Sequence, residues 1–334
     1  MVVGLPIAIV IFLASAGAVI YFGTLLAKYG DALATLTGWG RLFVGSILLA
    51  LATSLPELST NISAVRLTPP NPELALGNVL GANMLNMFTL SAVGLLFGGK
   101  RFLQRVAPEQ SYLILLAALM TGLGVLFAAL KLNVALWNIG LSAVILLVVY
   151  VVGMYIVYVK RPQTEGEEEA EDPGMTLARA GLMFGLASVG VIIAGFFLAF
   201  SVDRIAEISG VASSTLGILA VSLVTTMPEA ASTIAAARIG AMDLGVGGLY
   251  GSCVFNVTIL SYADPFYREG ILNNQSEPAH FVAGGVAIAL ILAGLLLIMS
   301  RNRLPGPIAA LGLALMAGAY LAGAVLVATL GAPG

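Results

Sequence analysis

The chain carries so little charge that water is excluded as its only solvent. Asp, Glu, Lys and Arg make up 10% of the 334 residues, while 59% are hydrophobic; a water-soluble domain is typically about 25% charged. A single cysteine, Cys253, rules out an intramolecular disulfide and any thiolate cluster. A single histidine, His280, leaves no imidazole set for zinc or copper, and a lone His in a polar stretch is more often incidental than a ligand. Resident cofactors and nucleic acid are therefore not expected. The partner implied most directly is the lipid bilayer.

What the chain has in abundance is apolar runs of about 20 residues, the length that crosses a hydrocarbon core. Read against charged or turn-rich breaks, they predict ten helices over 4–27, 40–66, 73–98, 107–129, 134–158, 176–201, 211–238, 243–263, 279–300 and 306–330. The first, starting MVVGLPIAIV, lacks the basic flank of a signal peptide and reads as a retained span. The fold class expected is an all-α integral membrane protein. The one clearly hydrophilic stretch, KRPQTEGEEEAEDPGM, divides it into a first five-helix repeat (1–159), an acidic cytoplasmic linker (160–175) and a second repeat (176–334). A solvated linker is the expected role of its acid run.

Basic residues give the orientation. One set of alternate loops holds Lys28, Arg41, Lys100, Arg101, Arg105, Lys160, Arg161, Arg179, Arg238, Arg301 and Arg303; the other holds Arg66, Lys131, Arg204 and Arg268. Positive loops stay inside, so the first set is expected in the cytoplasm and both termini outside the cell membrane.

Of the 17 acidic residues, 15 fall in loops or at predicted helix ends; Glu57 and Glu229 do not. An ionised carboxylate at mid-membrane costs at least about 2.5–3.5 kcal/mol, which marks it as a functional candidate. The pair belongs to an internal repeat. Thr53-Ser54-Leu55-Pro56-Glu57 matches Thr225-Thr226-Met227-Pro228-Glu229 at an offset of 172. The following helices, ELALGNVLGANMLN and DLGVGGLYGSCVFN, match at an offset of 170, pairing Gly77, Gly81 and Asn86 with Gly247, Gly251 and Asn256. Five spans per half is an odd number, so the second half is expected upside down, as in transporters that bind substrate at the repeat interface.

Pro56 and Pro228 cannot donate to the carbonyls of Ala52 and Val224, and proline biases Leu55 and Met227 away from helical geometry. Each helix is expected to break just before its glutamate, leaving carbonyl oxygens that are tolerated only in protein or a wet cavity. Thr53, Glu57 and Asn61 share one helix face, as do Thr225, Glu229 and Thr233. Asn78, Ala82 and Asn86 form a stripe on the next helix, mirrored by Gly248, Ser252 and Asn256. Gly77–Gly81 and Gly247–Gly251 are spaced for close helix approach. The resulting set is all oxygen, which suits hard cations. Paired carboxylates in low dielectric repel, so the site is expected to take up cations or protons.

These residues resemble the alpha repeats of the cation/calcium exchanger superfamily, which read approximately G-T-S-x-P-E and G-N-x-x-G-S-N-x-x-N/D. The short linker is similar to that of prokaryotic sodium/calcium exchangers. The resemblance implies a core of the second, third, seventh and eighth helices, across which the first and sixth slide to alternate access. It implies Glu57 and Glu229 as the main Ca²⁺ and Na⁺ ligands, Thr53 and Thr225 as carbonyl donors, and Ser54, Thr226, Ser252, Asn86 and Asn256 as completing the sodium positions. The chain departs from the pattern at Ala52 and Val224 (glycines in the family), Ala82 (serine), and Gly248 and Cys253 (asparagines). Asn256 stands where some members have aspartate, leaving two anionic ligands. The activity expected is Ca²⁺/Na⁺ antiport, with H⁺/Ca²⁺ antiport as the nearest alternative. A cation channel and an intramembrane enzyme rank lower.

Overall fold

The computed structural model describes residues 5–66, 68–160, 173–207 and 215–330. Most of the acidic linker (161–172) and the expected start of the seventh helix (211–214) lie outside the described residues. The long helices are α1 (Leu5–Thr37), α4 (Pro72–Leu96), α6 (Gln110–Leu130), α7 (Leu141–Val159), α8 (Leu177–Glu207), α11 (Met242–Ala263), α12 (Pro278–Ser300) and α13 (Gly306–Leu330). Lys100–Gln104 is a short α5. Two further spans are bent pairs: α2 (Arg41–Thr53) with α3 (Leu55–Arg66), at 42°, and α9 (Gly217–Thr225) with α10 (Met227–Arg238), at 47°. The fold is all-α; among the described residues eight apolar helices are long enough to cross a membrane, or up to ten if each bent pair is one span.

Two boundaries differ from the sequence-based expectation. The apolar residues from Val134 to Leu136 do not begin the fifth helix; Ala135–Leu136 (β1) pairs with Ile139–Gly140 (β2) in a tight hairpin. Trp137 and Asn138 turn it with φ of 50° and 67°, backbone that no helix accommodates. The first helix runs on past Lys28 and Asp31. The Asp31 carboxylate accepts from Arg41 Nε at 2.5 Å, so Asp31 is held in a salt bridge rather than ending the helix.

Apolar residues cover the outside, and the inside mixes large apolar side chains with small and polar ones. Every residue in an 18-residue window of α11 is buried, and 78% of one in α4, against 17% in α1. Leu119, Val148, Leu315 and Val325 are exposed on the outer helices, as a lipid-facing surface requires. Around the α4–α11 axis, α11 packs against α2, α3, α6, α7 and α10, while α4 packs against α3, α9, α12 and α13. Helices α1 and α8 lie alongside each other at one side.

The contacts cross between halves in matched pairs. A Cβ on Gly251 of α11 would stand 2.5 Å from the Ser46 carbonyl oxygen in α2; one on Gly81 of α4 would meet the Ile218 carbonyl of α9. Ser46 and Ile218 both sit in wider, π-type turns, Val44–Leu49 and Leu216–Val221. A second pair ties helix starts together. Gln110 Nε2 donates to the Asp243 carbonyl at 2.9 Å, and His280 Nε2 donates to the Glu73 carbonyl at 2.9 Å. His280 is thus a buried tie, its Nδ1 accepting from the Glu277 amide at 2.8 Å.

The α2–α11 approach leaves no room for a methyl group. Gly251→Ala is expected to destabilise the protein by about 1–3 kcal/mol, the range for overpacking. Gly318→Ala, with nothing within 4 Å of the added carbon, is expected to be neutral. Thermal unfolding of the two purified variants in detergent checks the contrast.

Candidate cation-binding site

The breaks fall one residue earlier than proline sterics alone suggest. Ser54 (φ −90°, ψ 7°) and Thr226 (φ −83°, ψ 0°) leave helical geometry, and new helices begin at Leu55 and Met227. Pro56 and Pro228 then occupy first-turn positions, where a missing amide hydrogen costs nothing. Glu57 and Glu229 therefore stand in the first turns of α3 and α10, where the helix dipole favours negative charge.

All nine residues expected at the site are buried: Thr53, Ser54, Glu57, Asn86, Thr225, Thr226, Glu229, Ser252 and Asn256 are each at most 2% exposed. Three meet directly. Ser54 Oγ donates to Glu229 Oε1 at 2.8 Å, Ser252 Oγ donates to the same oxygen at 3.2 Å, and the two hydroxyls lie 3.1 Å apart. This joins the break of the first half to the glutamate and the following helix of the second. Glu57 lies close enough to Glu229 for their charges to interact, and Thr225 is beside it. The Thr225 hydroxyl donates to Asn78 Oδ1 at 3.1 Å.

Other expected residues behave differently. The Thr53 hydroxyl turns back to the Leu49 carbonyl at 3.0 Å, and Thr226 turns back to the Ser222 carbonyl. Asn86 makes no side-chain hydrogen bond. The site is consequently lopsided. Glu229 receives two hydroxyls, whereas both oxygens of Glu57 are buried with no partner. The sequence explains why: the counterpart of Ser252 is Ala82, and the counterpart of Ser54 is Thr226, whose hydroxyl is spent on its own helix.

One participant was missed. Asn83 donates its amide to Thr121 Oγ1 at 3.1 Å and to the Cys253 carbonyl at 3.0 Å, and accepts from Asn256 Nδ2 at 3.1 Å. It lies off the helix face formed by Asn78, Ala82 and Asn86. The signal available was the asparagine of the GAN triplet, an amide in a fully apolar run.

Among the described residues, neither glutamate has a lysine or arginine within 4.0 Å. Nor do three His, Cys, Asp or Glu side chains gather into a metal-holding group among them. What collects is neutral oxygen beside two carboxylates. Among the candidate residues and the helix faces they share, six buried oxygens lack any hydrogen-bond partner: both of Glu57, Oε2 of Glu229, and Oδ1 of Asn61, Asn86 and Asn256; the amide nitrogens of Asn78 and Asn86 lack one too.

The profile of the family described as sodium/calcium exchanger protein matches residues 7–159 and 180–329, one broken span in each block. The chain belongs to that family. This sodium/calcium exchanger family member is 24% identical over 245 residues to the inner membrane protein YrbG of Escherichia coli (strain K12), covering 72% of this chain and 74% of YrbG. Its fold is similar to that of the sodium-calcium exchanger NCX_Mj soaked with Na⁺ and Sr²⁺: TM-score 0.70, 16% identity, 96% of this chain and 99% of the other. It is also similar to the H⁺/Ca²⁺ exchanger CAX, with TM-score 0.65, 14% identity, and 96% and 88% of the two chains covered. Exchangers of this family are transporters rather than enzymes.

The lopsided hydroxyls generate a prediction. Hydrogen bonds to charged groups contribute about 1.5–3 kcal/mol, so Ser54→Ala is expected to weaken the apparent cation affinity about tenfold or more. Thr226→Ala is expected to change it by less than about threefold. Concentration dependence of ⁴⁵Ca²⁺ uptake in proteoliposomes distinguishes the two.

Proposed function

We propose that the protein is a secondary active antiporter that exchanges Ca²⁺ for Na⁺ across the cell membrane by alternating access. The observation that carries this reading is the set of six buried, unpartnered acceptor oxygens, three of them carboxylate. Buried polar groups without partners are costly, and a set dominated by carboxylate and amide oxygens is satisfied by a cation. Calcium takes 6–8 oxygens and one ion neutralises two carboxylates; two sodium ions do the same. Competing occupants that neutralise the same charges in turn are the physical basis of exchange.

In this reading Glu57 and Glu229 are the main ligands. Thr53 and Thr225 contribute carbonyl oxygens, and Ser54, Ser252, Asn86, Asn256 and Thr226 complete the shell. The halves 1–159 and 176–334 lie inverted in the membrane around the site, as ten spans with both termini outside and 160–175 in the cytoplasm. The mirrored cross-contacts support that arrangement. So does the placing of α1 and α8, which meet the post-break helices through glycine. A Cβ on Gly23 would lie 2.9 Å from Ala231, and one on Gly195 2.6 Å from Pro56. Smooth, glycine-faced contacts are what sliding helices need.

Proton coupling is a second reading, favoured by one observation. Both Glu57 oxygens are buried without a partner, and a bound proton would neutralise the carboxylate and make one of them a donor. Proteoliposomes loaded with Na⁺ and diluted into Na⁺-free medium are expected to accumulate ⁴⁵Ca²⁺, and an imposed pH gradient alone is not. Uptake that follows the pH gradient and ignores Na⁺ transfers the reading to H⁺/Ca²⁺ exchange. Glu57→Gln and Glu229→Gln keep shape and remove charge, so each is expected to fold and to lose at least about 100-fold in exchange. Near-normal transport by both would overturn the assignment.

A further inference from the structure

Hydrogen-bond direction around Asn83 can be worked out from chemistry alone. Thr121, on α6, has one hydroxyl hydrogen and spends it on the Ala117 carbonyl at 2.8 Å. Toward Asn83 it can therefore only accept. The Cys253 carbonyl, on α11, can also only accept. Both lie at one end of the Asn83 amide, at 3.1 and 3.0 Å, so that end must be the NH₂ group. Rotating the amide by 180° would set its oxygen against the Cys253 carbonyl oxygen. The Asn83 oxygen is thereby fixed at the other end, and its neighbour there, Asn256, must donate, at 3.1 Å. Asn256 cannot turn its oxygen to Asn83 without an acceptor–acceptor clash. Its Oδ1 is left fully buried and unpartnered, one helical turn along α11 from Ser252, which bonds Glu229.

The other half has no such chain. The counterpart of Asn83 is Cys253 itself, and Asn86, the counterpart of Asn256, has both amide atoms unpartnered. Two amides at matching positions thus differ in kind: one is held in a single orientation, the other is unconstrained by hydrogen bonds.

We propose that Thr121 and Asn83 are positioning residues which hold the Asn256 amide with its oxygen toward the transported cation, making Asn256 a pre-oriented ligand and Asn86 an adaptable one. The proposal rests on the exchanger reading above and adds to it a residue on α6 that touches no ion. A fixed dipole whose negative end already faces the cation has no reorientation to undergo on binding, which is the general advantage of preorganisation.

The test uses a difference between amide and carboxylate. An amide has a right and a wrong orientation; a carboxylate presents oxygen either way. Equilibrium binding of ⁴⁵Ca²⁺ alone is measured on the purified full chain in nanodiscs, for Asn83→Leu, Asn256→Asp and the double variant. Asn83→Leu is expected to weaken binding at least tenfold beside the native Asn256. Beside Asn256→Asp it is expected to cost nothing or to strengthen binding, because the locked Asn83 oxygen no longer opposes the carboxylate. Equal losses in both backgrounds would mean that Asn83 is merely structural and would overturn the proposal. Thr121→Val and Thr121→Ser provide an independent pair should Asn83→Leu fail to fold. The valine variant is expected to bind several-fold more weakly and the serine variant to bind as the native chain does; equal binding by the two rejects the relay. No saturable ⁴⁵Ca²⁺ binding by the native chain would overturn the exchanger reading itself, and the relay with it. Saturable native binding with the same loss from Asn83→Leu in both backgrounds would overturn the relay alone.

Discussion

Two carboxylates buried in the middle of a membrane protein, with no basic side chain beside them among the described residues, are the constraint that organises everything else. A buried charge must be paired, hydrogen-bonded or neutralised. Here the protein supplies two hydroxyls to Glu229 and none to Glu57. The remainder of the demand is directed at something mobile. The broken helices follow from this need. Pro56 and Pro228 permit a fresh helix start at membrane depth, which places each glutamate in a first turn rather than mid-helix. The burial of α4 and α11 follows as well, because lone-pair oxygens without partners cannot face lipid.

Much of this was legible in the sequence because its signals are sharp against an apolar background. Glu57 and Glu229 stand out where a charge is expensive, and their prolines, offset by the same 172 positions, identify them as a pair. Among the described residues eight of the apolar runs hold long single helices, and the other two hold bent pairs. Less legible were features that depend on rotamers or backbone turns. Thr226 matches Ser54 in sequence, yet its extra methyl-bearing side chain folds back on Ser222. Trp137 and Asn138 close a hairpin that hydropathy merges into a span. Asn83 was passed over because its partners, Thr121 and the Cys253 carbonyl, come from helices 38 and 170 residues away. No local pattern carries that information.

The site is also less symmetric than its motifs. Ala82 opposite Ser252 and Cys253 opposite Asn83 strip hydroxyl and amide from equivalent places in opposite halves. The first loss leaves Glu57 bare; the second leaves Asn86 unanchored. A duplicated frame thus carries two unlike glutamates and two unlike amides. An exchanger must accept ions of different charge and size at one place, and unlike ligands widen what one set of side chains can coordinate.

The crossed packing of Gly251 on Ser46 and Gly81 on Ile218 has a consequence for ancestry. Each half buries its broken helix against the glycine helix of the other, so neither encloses a site by itself. On the inverted arrangement proposed above, an unfused ancestor would have had to insert in both directions and assemble as an antiparallel dimer. Such a dimer is bound to be identical on both sides. Only after fusion could the two halves come to differ, with cysteine opposite asparagine and alanine opposite serine, as they do in this chain.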